Sequence, residues 1–215
     1  MKAGLRNSAE AGAPPKPTIE FFFDFISPYG WFAAERIGAM AKRFNRQVNW
    51  RPFLLRVSVG KIMKATPPLE LPLKGSYLLH DIKRTARYYG LVISNKARFG
   101  FDSVPASRAL TWARSLEGRS MSDLTLALYR AHWAQGRDIS DEKTILDVLE
   151  ESGFCRDGAA NVLAGKAIKD AFRDEVEGAI DLGVFGSPTF IVDGEPFWGV
   201  DRMPMLEAWL EHNGW

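Results

Sequence analysis

An aromatic run, Phe21-Phe22-Phe23-Asp24-Phe25-Ile26-Ser27-Pro28-Tyr29-Gly30-Trp31, leaves the chain little choice about how its fold begins. The run is too apolar for a surface, breaks at a Ser-Pro pair and then changes to helical spacing. It reads as a buried strand that delivers its last residue to a helix N-terminus. Ser27 takes the N-cap and Pro28 the first helical position, where a missing N–H costs nothing. Free N–H groups and the positive end of the helix dipole favour an anion beside the Ser27 hydroxyl. Ser-Pro is also simply a good way to start a helix, and this stretch alone does not separate the two roles.

Downstream, Ile37, Met40, Ala41 and Phe44 mark one buried face of a helix from about 29 to 45. Gln47 to Phe53 alternates and reads as a second strand, which Pro52 ends or places at an edge. From about 56 to 180 the pattern is helical. A proline-rich break from Thr66 to Gly75 precedes helices expected at about 76–89, 105–117, 121–135, 141–152 and 157–182, with 91–104 as a loop. Gly90, Gly118, Gly136, Gly153 and Gly183 fall at helix ends, and Ser140 is the N-cap expected for 141–152. Thr189 to Val192 is a short strand. Asp193-Gly194 is a hairpin signal into Glu195 to Trp198, with Pro196 on an outer strand. A last helix carries Leu206, Trp209 and Leu210 on one face.

The pattern is α/β: residues 19–55 and 181–215 form one unit, 56–180 is an inserted helical domain, and 1–18 is a tail expected to be disordered. Residues 1–18 lack an apolar core of the kind a secretory signal needs. With 46% apolar residues the chain can bury a substantial core. Its 28 Lys and Arg against 26 Asp and Glu leave a net charge of +2 with no basic block, which points away from nucleic acid and toward a small anion. No apolar run reaches the roughly 18 to 20 residues that span a bilayer, so no membrane partner is expected. Cys155, the only cysteine, cannot pair within the chain and suits a reducing, cytoplasmic setting; on a helical stretch it reads as inert. His80, His132 and His212 show no metal-ligand spacing, so no metal is expected.

Asp24-Phe25-Ile26-Ser27-Pro28-Tyr29, Gly183-Val184-Phe185-Gly186-Ser187-Pro188-Thr189-Phe190 and Phe197-Trp198-Gly199-Val200-Asp201-Arg202-Met203 occur in the order of the 2-hydroxychromene-2-carboxylate isomerase family. Pro72-Leu73-Lys74-Gly75-Ser76-Tyr77, with Asp81, Arg84, Ala86 and Gly90, adds to the resemblance, which runs from about residue 19 to the C-terminus. The family is related to kappa-class glutathione transferases. The resemblance implies a thioredoxin-like fold of the DsbA and kappa type with an inserted all-helical domain. Ser27 and Gly30 stand where a redox thioredoxin keeps its two cysteines, so the chain's own side chains cannot exchange disulfides.

By that resemblance the cofactor is glutathione, the catalytic residue is Ser27, and the partner is a small aromatic carboxylate. Ser27, Ser187, Pro188, Trp198, Gly199, Val200 and Asp201 form the glutathione site; Lys61 and Tyr29 meet substrate. Pro188 takes the place of the thioredoxin cis-proline, so that the Ser187 backbone pairs with the cysteinyl unit while its side chain is incidental. Asp201 takes the γ-glutamyl ammonium or caps the last helix. Val200 replaces an often polar residue, and no Asn stands between 56 and 75 where the family has one. Arg56 is an alternative cation for the substrate carboxylate. Tyr29 and Trp198 are candidate walls for an aromatic ring, whereas Trp31 reads as core. Asp24, on an apolar strand, needs a structural partner.

The implied reaction is cis-trans isomerisation of 2-hydroxychromene-2-carboxylate, a step in aromatic-compound breakdown. A kappa-type transferase or peroxidase and a thioredoxin-like binding module without turnover are the competing readings. Members of the resembled family tend to be dimers, so a homodimer is the assembly to expect.

Overall fold

A computed structural model describes residues 18–116 and 118–215. The tail expected over 1–18 lies outside the described residues as far as residue 17, and Thr18 already belongs to the first strand. In chain order the elements are β1 (Thr18–Phe23), α1 (Pro28–Arg43), β2 (Gln47–Pro52), α2 (Lys74–Tyr88), α3 (Val104–Arg114), α4 (Met121–Trp133), α5 (Glu142–Glu151), α6 (Arg156–Leu163), α7 (Lys166–Asp181), β3 (Thr189–Val192), β4 (Glu195–Trp198) and α8 (Met203–His212). A π-helical segment spans Arg56–Ile62, and 3-10 turns span Pro68–Glu70 and Val200–Arg202.

The sheet order is β2-β1-β3-β4, with β1 parallel to β2 and antiparallel to β3. As an interior strand, β1 is covered on both faces, so its sequence does not alternate. Phe21 stacks on Phe190 of β3 (centroids 5.1 Å, 12°) and meets Trp50 of β2 edge-on (5.2 Å). Phe22 packs into a separate cluster with Phe53, Ala179 of α7 and Val184. Phe21, Phe22, Phe23 and Phe25 are all fully buried, each a gain of roughly 1.5–3 kcal/mol. The two prolines sit where a missing N–H is tolerated: Pro52 on edge strand β2 and Pro196 on edge strand β4. Asp193 and Gly194 both have positive φ (52° and 88°), as a tight β3–β4 hairpin requires.

The helical segment is joined to the sheet by more than its chain connections. From α4, Tyr129 donates its hydroxyl to the Asp24 carbonyl (3.0 Å) and Trp133 donates its indole N–H to the Phe25 carbonyl (3.0 Å). One buried cluster runs from Ile19 and Phe21 through Trp31 to Leu128, Tyr129 and Leu149. We propose that the division at 55/56 and 180/181 is therefore one of chain topology, with both parts sharing a core.

Several expectations need correction. The single helix expected at 157–182 is two, because Gly165 leaves the helical region (ψ 157°) and separates α6 from α7. Asp141, not Ser140, caps α5 by accepting the Thr144 N–H (3.0 Å); the Ser140 hydroxyl turns back to Asp138 (2.5 Å). The helix expected at 105–117 ends at Arg114, and the one expected at 121–135 ends at Trp133.

Candidate active site

The turn between β1 and α1 is closed by Ser27 N–H donating to the Asp24 carbonyl (2.9 Å). Ser27 takes extended dihedrals and its Oγ accepts from the Gly30 N–H (3.1 Å), which is the N-cap geometry its sequence position called for. The hydroxyl proton goes elsewhere: Oγ donates to the Ser187 carbonyl, 3.0 Å away and 160 residues on. Ser27 thus joins the head of the 16-residue helix α1 to the loop before β3 while only 7% exposed. The Ser187-Pro188 peptide bond is cis.

The Ser187 side chain has a structural role that its sequence position did not signal: its Oγ accepts the Asp24 N–H (3.0 Å). Asp24 finds its structural partners as well. Oδ1 accepts from Ile26 N–H (3.2 Å) and Oδ2 from Leu55 N–H (2.8 Å), and the nearby Ser103 hydroxyl also favours the ionised form. Burial outweighs these donors and the nearby Arg56 charge, and pushes the carboxyl up to about 6.

Against this turn lies a cavity of about 650 Å³. Tyr29 lines it from α1, Asp81, Arg84 and Tyr89 come from or follow α2, and Ser187, Pro188 and Trp198 to Arg202 complete the wall. Of the residues that sequence reasoning singled out, Tyr29, Ser187, Pro188, Trp198, Gly199, Val200 and Asp201 meet here, and Ser27 lies behind Ser187. Lys61 does not join them; it is exposed on the π-helical segment and is no part of the lining. Arg56 is likewise exposed and faces Asp102 (3.5 Å). Trp31 is core, as expected, with its indole N–H on Glu35 (2.8 Å).

Asp201 does not cap the last helix, since Arg202 is the residue before α8 and no side chain caps it. The Asp201 carboxylate instead folds over Gly199, whose φ of +105° and missing Cβ make room for it, and pairs with Arg202 (2.9 Å). Trp198 is half exposed and lies over Gly186, edge-on to Phe185 (4.7 Å). Val200 is buried and puts no side-chain donor in the wall.

The α2 wall carries two groups, Asp81 and Arg84, that had no role in the sequence reading. Tyr29 donates its hydroxyl to Asp81 (2.5 Å), and Arg84 binds the other carboxylate oxygen. Burial and then the bond to Asp81 push the Tyr29 phenol far above its ordinary value. Burial pulls Asp81 upward, but Tyr29 and Arg84 outweigh it and hold the carboxyl below the usual range. The i, i+3 spacing of Asp81 and Arg84 was the available signal that they share a helix face.

A second cavity, about 720 Å³, is lined by residues 95–101, His132, 136–138 and Ser140 and contains none of the expected site residues. Cys155 is exposed before α6. Among the described residues there is no group of three or more His, Cys, Asp or Glu able to hold a metal, and no helix long and apolar enough to cross a membrane.

Residues 18–211 match the DSBA-like thioredoxin domain. The chain belongs to that family. It is 28% identical over 214 residues to glutathione S-transferase kappa 1 of Rattus norvegicus, covering 94% of each protein. It is also 28% identical over 196 residues to 2-hydroxychromene-2-carboxylate isomerase of Sphingobium xenophagum, covering 90% of this chain and 97% of the relative. Among solved structures, a 2-hydroxychromene-2-carboxylate isomerase superposes with a TM-score of 0.81 at 24% identity, covering 91% of this chain and 95% of that one. The DsbA-like thioredoxin fold expected from the sequence is therefore the fold of the chain.

Proposed function

We propose that the chain is a glutathione-dependent enzyme that isomerises an aromatic carboxylate of the 2-hydroxychromene-2-carboxylate type. The observation that carries this reading is the Ser27 hydroxyl, held at the head of α1 with its proton on the Ser187 carbonyl beside the cavity. The donor set fits a zwitterionic tripeptide: a hydroxyl, a backbone carbonyl, the Asp201 carboxylate for an ammonium, and the Arg84 and Arg202 guanidiniums for carboxylates.

Bound glutathione supplies a thiolate nucleophile that adds reversibly to a conjugated double bond, so that the bond can rotate while it is single. The work of the chain is to keep that sulfur ionised. A free thiol has a pKa near ~8.5, and a helix N-terminus lowers it. Ser27 can rotate its proton from the Ser187 carbonyl to the sulfur while its oxygen keeps the Gly30 N–H. The carbonyl so released is free to accept an amide N–H of the tripeptide in the manner of an added strand. Ser27 stays a donor throughout and is not itself the nucleophile. Tyr29, locked to Asp81, and Trp198 offer flat apolar surface to an aromatic substrate.

The rat kappa transferase is as similar as the Sphingobium isomerase, which supports conjugation as a second activity of the same residues. The lone cysteine supports a cytoplasmic setting. Exposed Leu73 (91%), Tyr88 (81%) and Tyr77 (57%) support a homodimer, because such apolar side chains on one stretch suit burial against a second copy. Calorimetry with glutathione tests the reading: binding is expected at micromolar to millimolar levels, and none in that range leaves only a binding module. Turnover of 2-hydroxychromene-2-carboxylate against conjugation of a chloronitrobenzene then separates isomerase from transferase.

A further inference from the structure

Behind the cavity Asp24 bonds to its own turn, the segment after β2, α4 and the Ser187 loop, using both its backbone and its side chain. Its N–H holds Ser187 Oγ (3.0 Å), and its carbonyl takes the Ser27 N–H (2.9 Å) and the Tyr129 hydroxyl (3.0 Å). Its carboxylate accepts one backbone N–H on each oxygen, from Ile26 inside the turn and from Leu55 where the chain leaves β2. Ser103, ahead of α3, favours its ionised form from the helical side. Ile26 directly precedes Ser27, so the carboxylate fixes the turn that aims the Ser27 hydroxyl at the Ser187 carbonyl.

We propose that Asp24 is a positioning residue: its ionised carboxylate, by accepting from Ile26 and Leu55 at once, holds Ser27 and Ser187 at the separation the site needs. An ionised carboxylate has acceptors to spare for both N–H groups, whereas an amide nitrogen has none and a protonated oxygen is a poorer one. Neutralising Asp24 therefore loosens one of the two bonds and lets the turn drift. The charged or titratable groups facing it are Arg56, which favours the ionised form, and Tyr129, whose phenol burial pushes well above its ordinary value and which stays neutral. With the carboxyl held near 6, the switch falls just below neutral pH.

The role in turnover rests on the reading of Ser27 given above, so the test has one arm without glutathione and one with it. In the ligand-free protein, the backbone amide resonances of Ile26, Ser27 and Leu55 are expected to shift together with a midpoint near pH 6, and not to do so in Asp24→Asn. If the Ser27 amide ignores that titration, the positioning role is overturned whether or not glutathione binds. In glutathione-dependent conjugation of a chloronitrobenzene, Asp24→Asn is expected to lower kcat about tenfold or more at neutral pH and to lack the acid step near pH 6, with its circular dichroism unchanged. A variant that keeps its rate within about threefold and keeps the step overturns the proposal. Should Asp24→Asn fail to fold, Ser103→Ala decides. Loss of the Ser103 hydroxyl, which favours the ionised carboxylate, should move the acid midpoint upward and leave the alkaline plateau within about twofold, and an unmoved midpoint overturns the proposal.

Discussion

Gly30→Ala sets two effects of known sign against each other. Gly30 is the third residue of α1, has no positive φ, and is fully inside the fold, so the backbone alone accepts alanine, and helix propensity favours it by up to ~1 kcal/mol. A Cβ there, however, would stand 2.9 Å from Ser187 Oγ and nearer still to Tyr129 Oη, with the Asp24 carbonyl at 3.5 Å. Neither hydroxyl is a free end. Tyr129 is fully buried and bonded to the Asp24 carbonyl, and Ser187 Oγ takes the Asp24 N–H. Overpacking of this kind costs ~1–3 kcal/mol, and breaking the buried tyrosine bond adds ~1–3 kcal/mol. After the propensity gain of ~1 kcal/mol, the net is a loss of about 1–5 kcal/mol. Urea denaturation should show it as a lower midpoint at unchanged slope. Removing the obstructing oxygen with Tyr129→Phe should recover at least about 1 kcal/mol in a double-mutant cycle. An alanine variant as stable as the parent, or additivity of the two changes, would refute the close packing of α1, α4 and the Ser187 loop.

Ser27→Ala should cost about 0.5–2 kcal/mol of stability through loss of the cap, and about tenfold or more in turnover through loss of the proposed donor to sulfur; denaturation and initial rates check the two separately. Lys61→Ala should change KM by less than about twofold, because Lys61 lies outside the cavity wall; a larger rise in KM would return it to the substrate site. Asp24 makes stability depend on pH in a direction opposite to a salt-bridged carboxylate. Its folded-state pKa of about 6 exceeds the ordinary 3.8, so the native state binds more protons between those values. Its contribution is then fully present below 3.8 and is lost as pH rises toward 6, by up to ~3 kcal/mol. Wild-type minus Asp24→Asn stability, followed across that range, should show this slope. The wild-type protein should sediment as the proposed dimer and Leu73→Asp with Tyr88→Asp as a monomer; a monomeric wild type, or a variant that stays dimeric, would contradict the proposed interface.

Much of the fold was legible because its signals are local. The Ser-Pro break, the Asp193-Gly194 hairpin and the glycines at 118, 136, 153 and 183 each act within a few residues, and all four of those glycines have positive φ in the structure. The readings that failed are those in which two local solutions compete. Ser140 and Asp141 are both good caps, and only Asp141 accepts from Thr144; Gly165 interrupts an apolar period that continues on both sides of it. At the site, the motif residues from 198 to 201 were visible, but the Tyr129 and Ser187 bonds to Asp24 span 105 and 163 residues and leave no trace in spacing. The same is true of the Ser27 proton, whose acceptor lies in a loop that only the folded sheet brings near.

The most direct measurement is the titration of the thiol of bound glutathione, followed by thiolate ultraviolet absorbance, in the wild-type protein and in Ser27→Ala. We expect a midpoint below the ~8.5 of a free thiol in the wild type and a rise of about one unit or more in the variant. A wild-type midpoint at the free value, or the same midpoint in both proteins, would contradict the assignment of Ser27 as the group that holds the sulfur ionised.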